Sequence, residues 1–316
     1  MNRYFIGVDT SCYTTSVSCI SAEGIVFEKR TMLSVPLGAR GLRQSDAVFQ
    51  HVKNLPELTR ALFEGVDRER IAAIAVSTKP TADEESYMPV FLAGKLNATA
   101  ISAALDVPLY ETTHQAGHVR AAMFGNEAAL NDGPFLAMHL SGGTTDLLTV
   151  GLSDGGVGAI TKIGGCDDLH AGQFVDRVGV KMGLPFPSGV ELEKIANRAK
   201  TRAIRLPSSV KGLVCSFSGQ ETQANRLLDG GEAKEEVAYA VYDCMARTFS
   251  KMLLSAMETY GCKTALISGG VSGSKLLREM LFRRTGKKLL FARDGLSSDN
   301  AVGAALLARD RFLKGR

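Results

Sequence analysis

The segment from Phe5 to Ile20, FIGVDTSCYTTSVSCI, aligns without gaps on the segment from Phe135 to Val150, FLAMHLSGGTTDLLTV, at an offset of 130 residues. Phe5 falls on Phe135, Ser11 on Ser141, and Thr14-Thr15 on Thr144-Thr145. An internal repeat constrains a fold more than composition does, because each copy has to build the same unit. In both copies an apolar run reaches a small polar turn, then Thr-Thr, then a second apolar run. That order predicts a β-hairpin with hydroxyls and glycines at its turn. Glycine there leaves backbone N–H groups free to approach an anion. The surroundings repeat as well. Ile71 to Thr78 and Thr264 to Gly270 read as further strands, and each leads through a polar loop into a helical stretch, Val90 to Leu105 and Ser274 to Arg284.

Two α/β units that each open on such a hairpin resemble the actin, sugar kinase and Hsp70 (ASKHA) superfamily. The resemblance implies a two-lobed α/β ATPase-like fold, with a metal ion and an adenylate held in the cleft between the lobes. The polar Asn131 to Gly133 linker is the expected boundary. It gives a first lobe over 1–131 and a second over 132–316. Pro185 to Lys234 has no counterpart in the first lobe and reads as a mostly helical insertion, about 185–234. Asp299 to Phe312 is rich in Ala and Leu at helical spacing and ends in basic residues, which predicts a closing helix in the second lobe.

A chain of 316 residues is long enough for two such cores. Its 45% hydrophobic and 22% charged residues are the balance of a globular protein, not of a disordered one. No stretch reaches the length of apolar sequence that a membrane helix needs. Met1 to Thr10 runs directly into a strand pattern, so no signal peptide is expected. Six scattered cysteines without a C-x-x-C pair read as buried thiols of a reducing compartment. A cytoplasmic protein without membrane partners is the expectation. The net charge of +4 is mild, and the two basic runs, Arg202 to Lys211 and Arg278 to Lys288, read as solvated helix faces.

His114 and His118 stand four apart in H-Q-A-G-H, so on a helix both rings leave the same face. The spacing suits two ligands of one transition metal, and it suits two partly exposed helix histidines as well. A zinc protease of the H-E-x-x-H type is excluded, because Gln115 occupies the place of the general base and an amide cannot take the proton. Two histidines leave a site incomplete, and a carboxylate is the natural addition. Asp299, in S-S-D-N-A-V-G-A-A, stands at a helix start, where an N-cap is the alternative role.

These motifs, taken in order, resemble the TsaD (YgjD/Gcp) family. The series runs through G-V-D-T-S-C (Gly7 to Cys12), H-Q-A-G-H (His114 to His118) and L-S-G-G-T-T-D (Leu140 to Asp146). It continues through A-G-Q-F-V-D-R (Ala171 to Arg177), F-P-S-G (Phe186 to Gly189) and S-F-S-G (Ser216 to Gly219). It closes with S-G-G-V-S (Ser268 to Ser272) and S-D-N-A (Ser298 to Ala301). The resemblance implies an acyltransferase that moves a threonylcarbamoyl group from threonylcarbamoyl-AMP to N6 of adenosine 37 in A-decoding tRNA. It implies an iron or zinc ion on His114, His118 and Asp299. It implies contacts to the adenylate (threonylcarbamoyl-AMP, ATP or ADP, with magnesium) from His139, Leu140, Ser141, Gly142, Gly143, Asp176, Gly189 and Ser274. A TsaB-like subunit and a TsaE-like ATPase are the implied protein partners, beside tRNA.

The chain departs from the family pattern at specific places, as a divergent paralogue does. Tyr13 and Thr14 replace two carboxylates of the first hairpin, Thr144 replaces a histidine, Gln173 a glutamate and Ser274 an asparagine. Asp9 and Ser11 persist in that hairpin and are the candidate catalytic residues. A Gly-rich loop of the first lobe is replaced by the bulky, acidic stretch from Pro80 to Phe91. Three further readings accommodate these changes. One is a carbamoyl transferase or ATP-cleaving enzyme with another acceptor, met by the 80–91 loop. Another is a catalytically idle nucleotide-binding scaffold or regulatory partner. The last is a small-molecule kinase with Asp9 as its base.

Overall fold

The computed structural model describes residues 3–11, 13–35, 42–130, 133–153, 156–286 and 288–315. The chain forms two compact units. The first comprises Met1–Gly125, Leu152–Ile160 and Ser298–Arg316, and the second Asn126–Gly151 and Thr161–Ser297.

In the first unit, β1 (Tyr4–Thr10) and β2 (Thr14–Ile20) pair antiparallel, with Phe5 opposite Ile20 and Thr10 opposite Thr15. β3 (Ile25–Met32) continues the meander. Helix α1 (Gln44–Gly65) leads to β4 (Ile71–Lys79), parallel to β1. Helix α2 (Phe91–Leu105) leads to β5 (Leu109–Thr113), parallel to β4, and α3 (His114–Met123) follows without a loop. The strand order among the described residues is β3-β2-β1-β4-β5. β1 and β2 are buried along almost their whole length, the signature of strands covered on both faces. Leu55, Leu58 and Leu62 of α1 recur at helical spacing and pack with Ile6, Val8, Val17 and Ile74. Each such buried side chain stabilises the unit by roughly 1.5–3 kcal/mol.

The second unit begins with the short α4 (Glu127–Leu130) and then repeats the plan. β6 (Phe135–Leu140) and β7 (Thr145–Ser153) pair antiparallel, with Phe135 opposite Val150 and Leu140 opposite Thr145. These registers are those of β1 and β2 displaced by the offset of the sequence repeat. β8 (Gly156–Cys166) flanks β7, and α5 (Ala171–Lys181), α6 (Gly189–Ala196), β9 (Ser209–Lys211), β10 (Val214–Ser216), α7 (Ser218–Asp229) and α8 (Lys234–Tyr260) follow. β11 (Thr264–Ser268) lies parallel to β6, and β12 (Lys288–Phe291), after α9 (Lys275–Thr285), parallel to β11. The run β8-β7-β6-β11-β12 thus copies β3-β2-β1-β4-β5. The core gathers α8, α5 and α9 with β6 and β11, through Phe174, Phe249, Met138 and Ile267.

The insertion is less helical than its composition suggests. Beside α6 and α7 it contributes β9 and β10, which extend the sheet beyond β8. Three-residue strands are too short to produce a period in the sequence. The expected boundary falls partly on Asn131 and Asp132, which lie outside the described residues, and the units divide after Gly125. The closing helix, α10 (Val302–Lys314), and Asp299 belong to the first unit, not the second. Their place follows from close backbone packing. A Cβ on Gly7 of β1 would lie 2.1 Å from the carbonyl oxygen of Ala301, and one on Gly303 would lie 1.8 Å from that of Gly117. Five described cysteines, Cys19, Cys166, Cys215, Cys244 and Cys262, are buried free thiols. No helix among the described residues is long and apolar enough to cross a membrane.

Candidate functional site

In the first unit, β5 runs straight into α3. Thr113 caps that helix by accepting a hydrogen bond from Ala116 N at 3.1 Å. His114 is therefore in the first turn, with His118 one turn on. Their Nε2 atoms are 3.0 Å apart, and Asp299 Oδ1 is 3.1 Å from His118 Nε2 and 3.6 Å from His114 Nε2. Two nitrogens and a carboxylate oxygen thus converge on one point. Bonds of about 2.0–2.1 Å to one tetrahedral ion place its ligand atoms about 3.3 Å apart, so this donor set fits a single transition metal. Asp299 is no helix cap. α10 begins three residues later, and the side chain of Asn300 accepts from Val302 N at 3.0 Å.

The hairpin between β1 and β2 supports these ligands. Asp9 Oδ2 accepts a hydrogen bond from His114 Nδ1 at 2.9 Å, and Ser11 Oγ donates to Asp299 Oδ2 at 3.0 Å. Asp9 is only 2% exposed. Both residues singled out as candidate catalysts are therefore engaged with members of this donor set. Burial works against charge on His114, but the Asp9 and Asp299 carboxylates hold its pKa well above the ordinary imidazole value. Burial likewise opposes charge on Asp299, and the two histidines hold its carboxyl well below the usual range. A cation between these groups satisfies the same field.

Sequence reasoning missed three supporting residues, His51, Asn54 and Arg30. His51 lies on the apolar stripe of α1, fully buried; its Nε2 donates to the carbonyl of Ser11 at 2.8 Å, and its Nδ1 accepts from Thr15 Oγ1 at 2.8 Å. Asn54 Nδ2 donates to the same hydroxyl at 3.1 Å. A polar residue in the Ala47, Leu55, Leu58 series was the available signal. Arg30 of β3 donates to Ser298 Oγ at 2.8 Å and to the carbonyl of Asp299 at 3.1 Å. Of the altered positions, Tyr13 is 44% exposed, with its carbonyl accepting from Leu33 N at 2.8 Å, and Thr14 is buried in β2. The 80–91 loop meets the hairpin where Thr10 Oγ1 donates to Val90 O at 3.0 Å, and meets α3 where Gln115 N donates to Pro80 O at 2.9 Å.

In the second unit, the turn after β6 is closed by Ser141 N donating to Thr144 O at 2.8 Å and Thr144 N donating to Ser141 Oγ at 3.1 Å. Gly142 and Gly143 are exposed, and no protein atom lies within 4 Å of where their Cβ atoms would be. The Cβ side of both faces open space, whereas Gly172 of α5 lies so near that a Cβ there would be 2.6 Å from the backbone nitrogen of Gly142. The N-terminus of α5 lies against this turn, with Gly172 N donating to Ser141 O at 3.0 Å and Ala171 N to Thr145 Oγ1 at 2.9 Å. Gln173 closes that helix start through its side-chain oxygen, which accepts from His170 N at 3.1 Å. His139 Nδ1 lies 3.1 Å from Ser268 Oγ, and Gly269 reaches so near Leu140 that a Cβ there would lie 2.2 Å from its carbonyl oxygen.

Asp176, Gly189 and Ser274 meet around the buried Tyr242, which the motif series had not indicated. Tyr242 Oη donates to Gly189 O at 3.0 Å; its pKa is raised by burial and by the charges of Glu193 and Asp176, and the Ser274 hydroxyl hydrogen-bonds it. Asp176 Oδ1 accepts from Ser188 N at 2.7 Å, and burial raises its pKa. Ser274 also caps α9, accepting from Leu277 N at 3.1 Å.

Comparison with known proteins agrees with this architecture. A family model described as TsaD, tRNA N6-adenosine threonylcarbamoyltransferase, matches residues 37–306. A protein of that name from Thermus thermophilus is 31% identical over 319 residues, covering 99% of this chain and 94% of the relative. Among solved structures, HypF from T. kodakarensis superposes with a TM-score of 0.64 at 14% identity, over 99% of this chain and 48% of that one. The activator of the 2-hydroxyisocaproyl-CoA dehydratase from Clostridium difficile, with bound ADPNP, gives 0.59 at 16% identity, over 99% and 96%. At such identities the likeness shows the fold, an ASKHA-type α/β architecture.

Proposed function

Since the chain belongs to the TsaD family, tRNA N6-adenosine threonylcarbamoyltransferase, we propose that it transfers the threonylcarbamoyl group of threonylcarbamoyl-AMP to N6 of adenosine 37 in A-decoding tRNA. The observation that carries this reading is the convergence of His114, His118 and Asp299 with Asp9 and Ser11 fixed behind them.

In this reaction the N6 amine attacks the carbamoyl carbon, the carbon–oxygen bond to AMP breaks, and N6 gives up a proton. His114, His118 and Asp299 would hold one iron or zinc ion. Such an ion supplies Lewis acidity toward an oxygen of the mixed anhydride. Asp9 keeps the proton of His114 on Nδ1 and so aims Nε2, and Ser11 fixes the rotamer of Asp299. The exposed Gly142-Gly143 turn, with the Ser141 hydroxyl and the N-terminus of α5 beside it, offers hydrogen-bond donors and a positive dipole to the phosphate of the leaving AMP. Asp176 is the acceptor for ribose hydroxyls, and Gly189 and Ser274 border the same side around Tyr242. Magnesium accompanies ATP or ADP when these occupy the nucleotide position. Most of the acceleration comes from holding two substrates in reacting geometry.

A TsaB-like subunit, together with a TsaE-like ATPase, completes the assignment. Exposed apolar side chains on α1 (Phe49, Val52) and α2 (Leu92, Leu96, the last 71% exposed) support a protein partner on those helices of the first unit.

The test is to incubate the protein, with such a subunit, a source of threonylcarbamoyl-AMP and A-decoding tRNA, and to measure modified nucleoside by mass spectrometry. Modified adenosine that disappears with His114→Ala is the expected result. Bound adenylate without any modified tRNA would turn the assignment toward another acceptor or an idle scaffold.

A further inference from the structure

We propose that the basic segment 198–211 of the second unit, flanked by Arg284, is the surface on which the phosphate backbone of the RNA substrate docks. The proposal rests on the tRNA reading above and gives it a location.

No Asp or Glu occurs from Lys194 to Gln220, while Arg198, Lys200, Arg202, Arg205 and Lys211 all fall in this stretch. All five are exposed, and among the described residues none forms an ion pair. A solvated basic loop is normally loose, but here the backbone is fixed. Glu236 of α8 accepts from the consecutive amides of Lys200, Thr201 and Arg202 at 2.8, 2.9 and 2.6 Å. Arg202 is held at φ 53°, a left-handed conformation unusual for a long side chain, and its guanidinium lies 4.7 Å over the ring of Tyr239. Further along, Arg247 donates to the carbonyl of Leu206, Cys244 Sγ to that of Pro207 at 3.2 Å, and Ser208 and Thr248 share a hydrogen bond of 3.1 Å.

The two basic runs of the sequence meet at this anchor. Asp243 accepts from Arg247 Nε at 2.7 Å and also pairs with Arg284 at the end of α9. The five cations are spread along the segment from Arg198 to Lys211 rather than gathered in one short motif. A strip suits a polymer with regularly spaced charges, whereas a small anion needs convergent donors. Contacts of this kind draw their free energy from counterion release, and a backbone ordered in advance lowers the entropic cost of using them.

The test compares the full-length protein with the combined variant Arg198→Gln, Arg205→Gln and Lys211→Gln, and with a control that removes three exposed cations of the first unit, Lys29→Gln, Arg43→Gln and Arg60→Gln. Filter binding of an A-decoding tRNA transcript is measured between about 50 and 200 mM salt. The strip variant is expected to lose about tenfold or more in affinity, and about 2 to 3 in the slope of log K against log salt, with its melting temperature and metal content unchanged. Affinity and slope equal to wild type, or equal losses in the control, overturn the proposal. If the wild type ignores tRNA but binds an unrelated RNA hairpin through the same three cations, the surface stands and the tRNA reading fails. Binding to no RNA at all overturns the surface.

Discussion

Asp9 Oδ2 lies 2.9 Å from Nδ1 of His114, across the ring from the nitrogen that faces Asp299. A carboxylate on the far nitrogen of a metal-ligating histidine fixes its tautomer and strengthens it as a donor. Asp9→Asn keeps the shape and removes the charge. Its affinity for zinc, measured by competition with a chelating dye, is expected to fall about 10- to 100-fold with little change in melting temperature. A variant that binds zinc like wild type would return Asp9 to a role in the chemistry itself.

Ser11 acts on the other side of the same site. Its hydroxyl donates to Asp299 Oδ2 at 3.0 Å, a hydrogen bond to a charged group of a kind worth roughly 1.5–3 kcal/mol. Ser11→Ala frees the carboxylate to rotate, so zinc affinity in the same competition assay is expected to drop about tenfold or more. Were Ser11 instead a reacting nucleophile, Ser11→Ala would abolish nucleoside modification while leaving zinc affinity intact.

The hairpins are legible in the sequence because the repeat fixes both the strands and their pairing: one offset carries Phe5 opposite Ile20 onto Phe135 opposite Val150. The four-residue histidine spacing is legible because the helix period alone puts both rings on one face. The partners of Asp9 and Ser11 are not. Asp9 meets His114 at the junction of β5 and α3, and Ser11 meets Asp299 where α10 approaches β1 at Gly7, both long-range contacts with no local pattern. Asp299 is ambiguous for a related reason. Two adjacent polar residues precede the helix, and the backbone decides that Asn300 accepts from the helix start while Asp299 turns to the histidines. His51 leaves a faint trace, one polar residue in an apolar stripe, and its meaning appears only when Ser11 and Thr15 are in place.

The same His51 makes the first unit sensitive to acid. Burial lowers its pKa below the ordinary 6.5, partly offset by the Ser11 carbonyl and the charge of Asp9. Between the folded and unfolded values the unfolded chain binds more protons, so stability rises with pH. The contribution is complete above about 6.5 and is lost as pH falls through that value toward the folded one. The raised pKa of His114 acts in the opposite direction. The decline is therefore read as the difference in melting temperature between wild type and His51→Gln, which is expected to narrow from pH 7.5 down to about 5. His51→Gln should melt lower at neutral pH, by roughly 1–3 kcal/mol of stability for the broken network, and show a shallower pH dependence. A pH profile parallel to wild type would exclude His51 as the titrating group.

Gly303 tests whether the donor set of His114, His118 and Asp299 depends on the approach of α10 to α3. A methyl group at this position would lie 1.8 Å from the carbonyl oxygen of Gly117, between the two histidines, and 2.6 Å from its carbon. Neither atom belongs to a flexible side chain, so the two helices must separate, at a cost of about 1–3 kcal/mol or more. His118 lies on one helix and Asp299 just before the other, and their 3.1 Å separation is set by that approach. Gly303→Ala is therefore expected to lose zinc affinity as well as stability. Gly286→Ala supplies the comparison: at φ 54° it strains the end of α9, but its Cβ meets no atom within 4 Å. It should lower the melting temperature by a similar modest amount and leave zinc binding unchanged. If both variants lose stability and neither loses zinc, the separation of His118 and Asp299 is set elsewhere than at the Gly117–Gly303 contact.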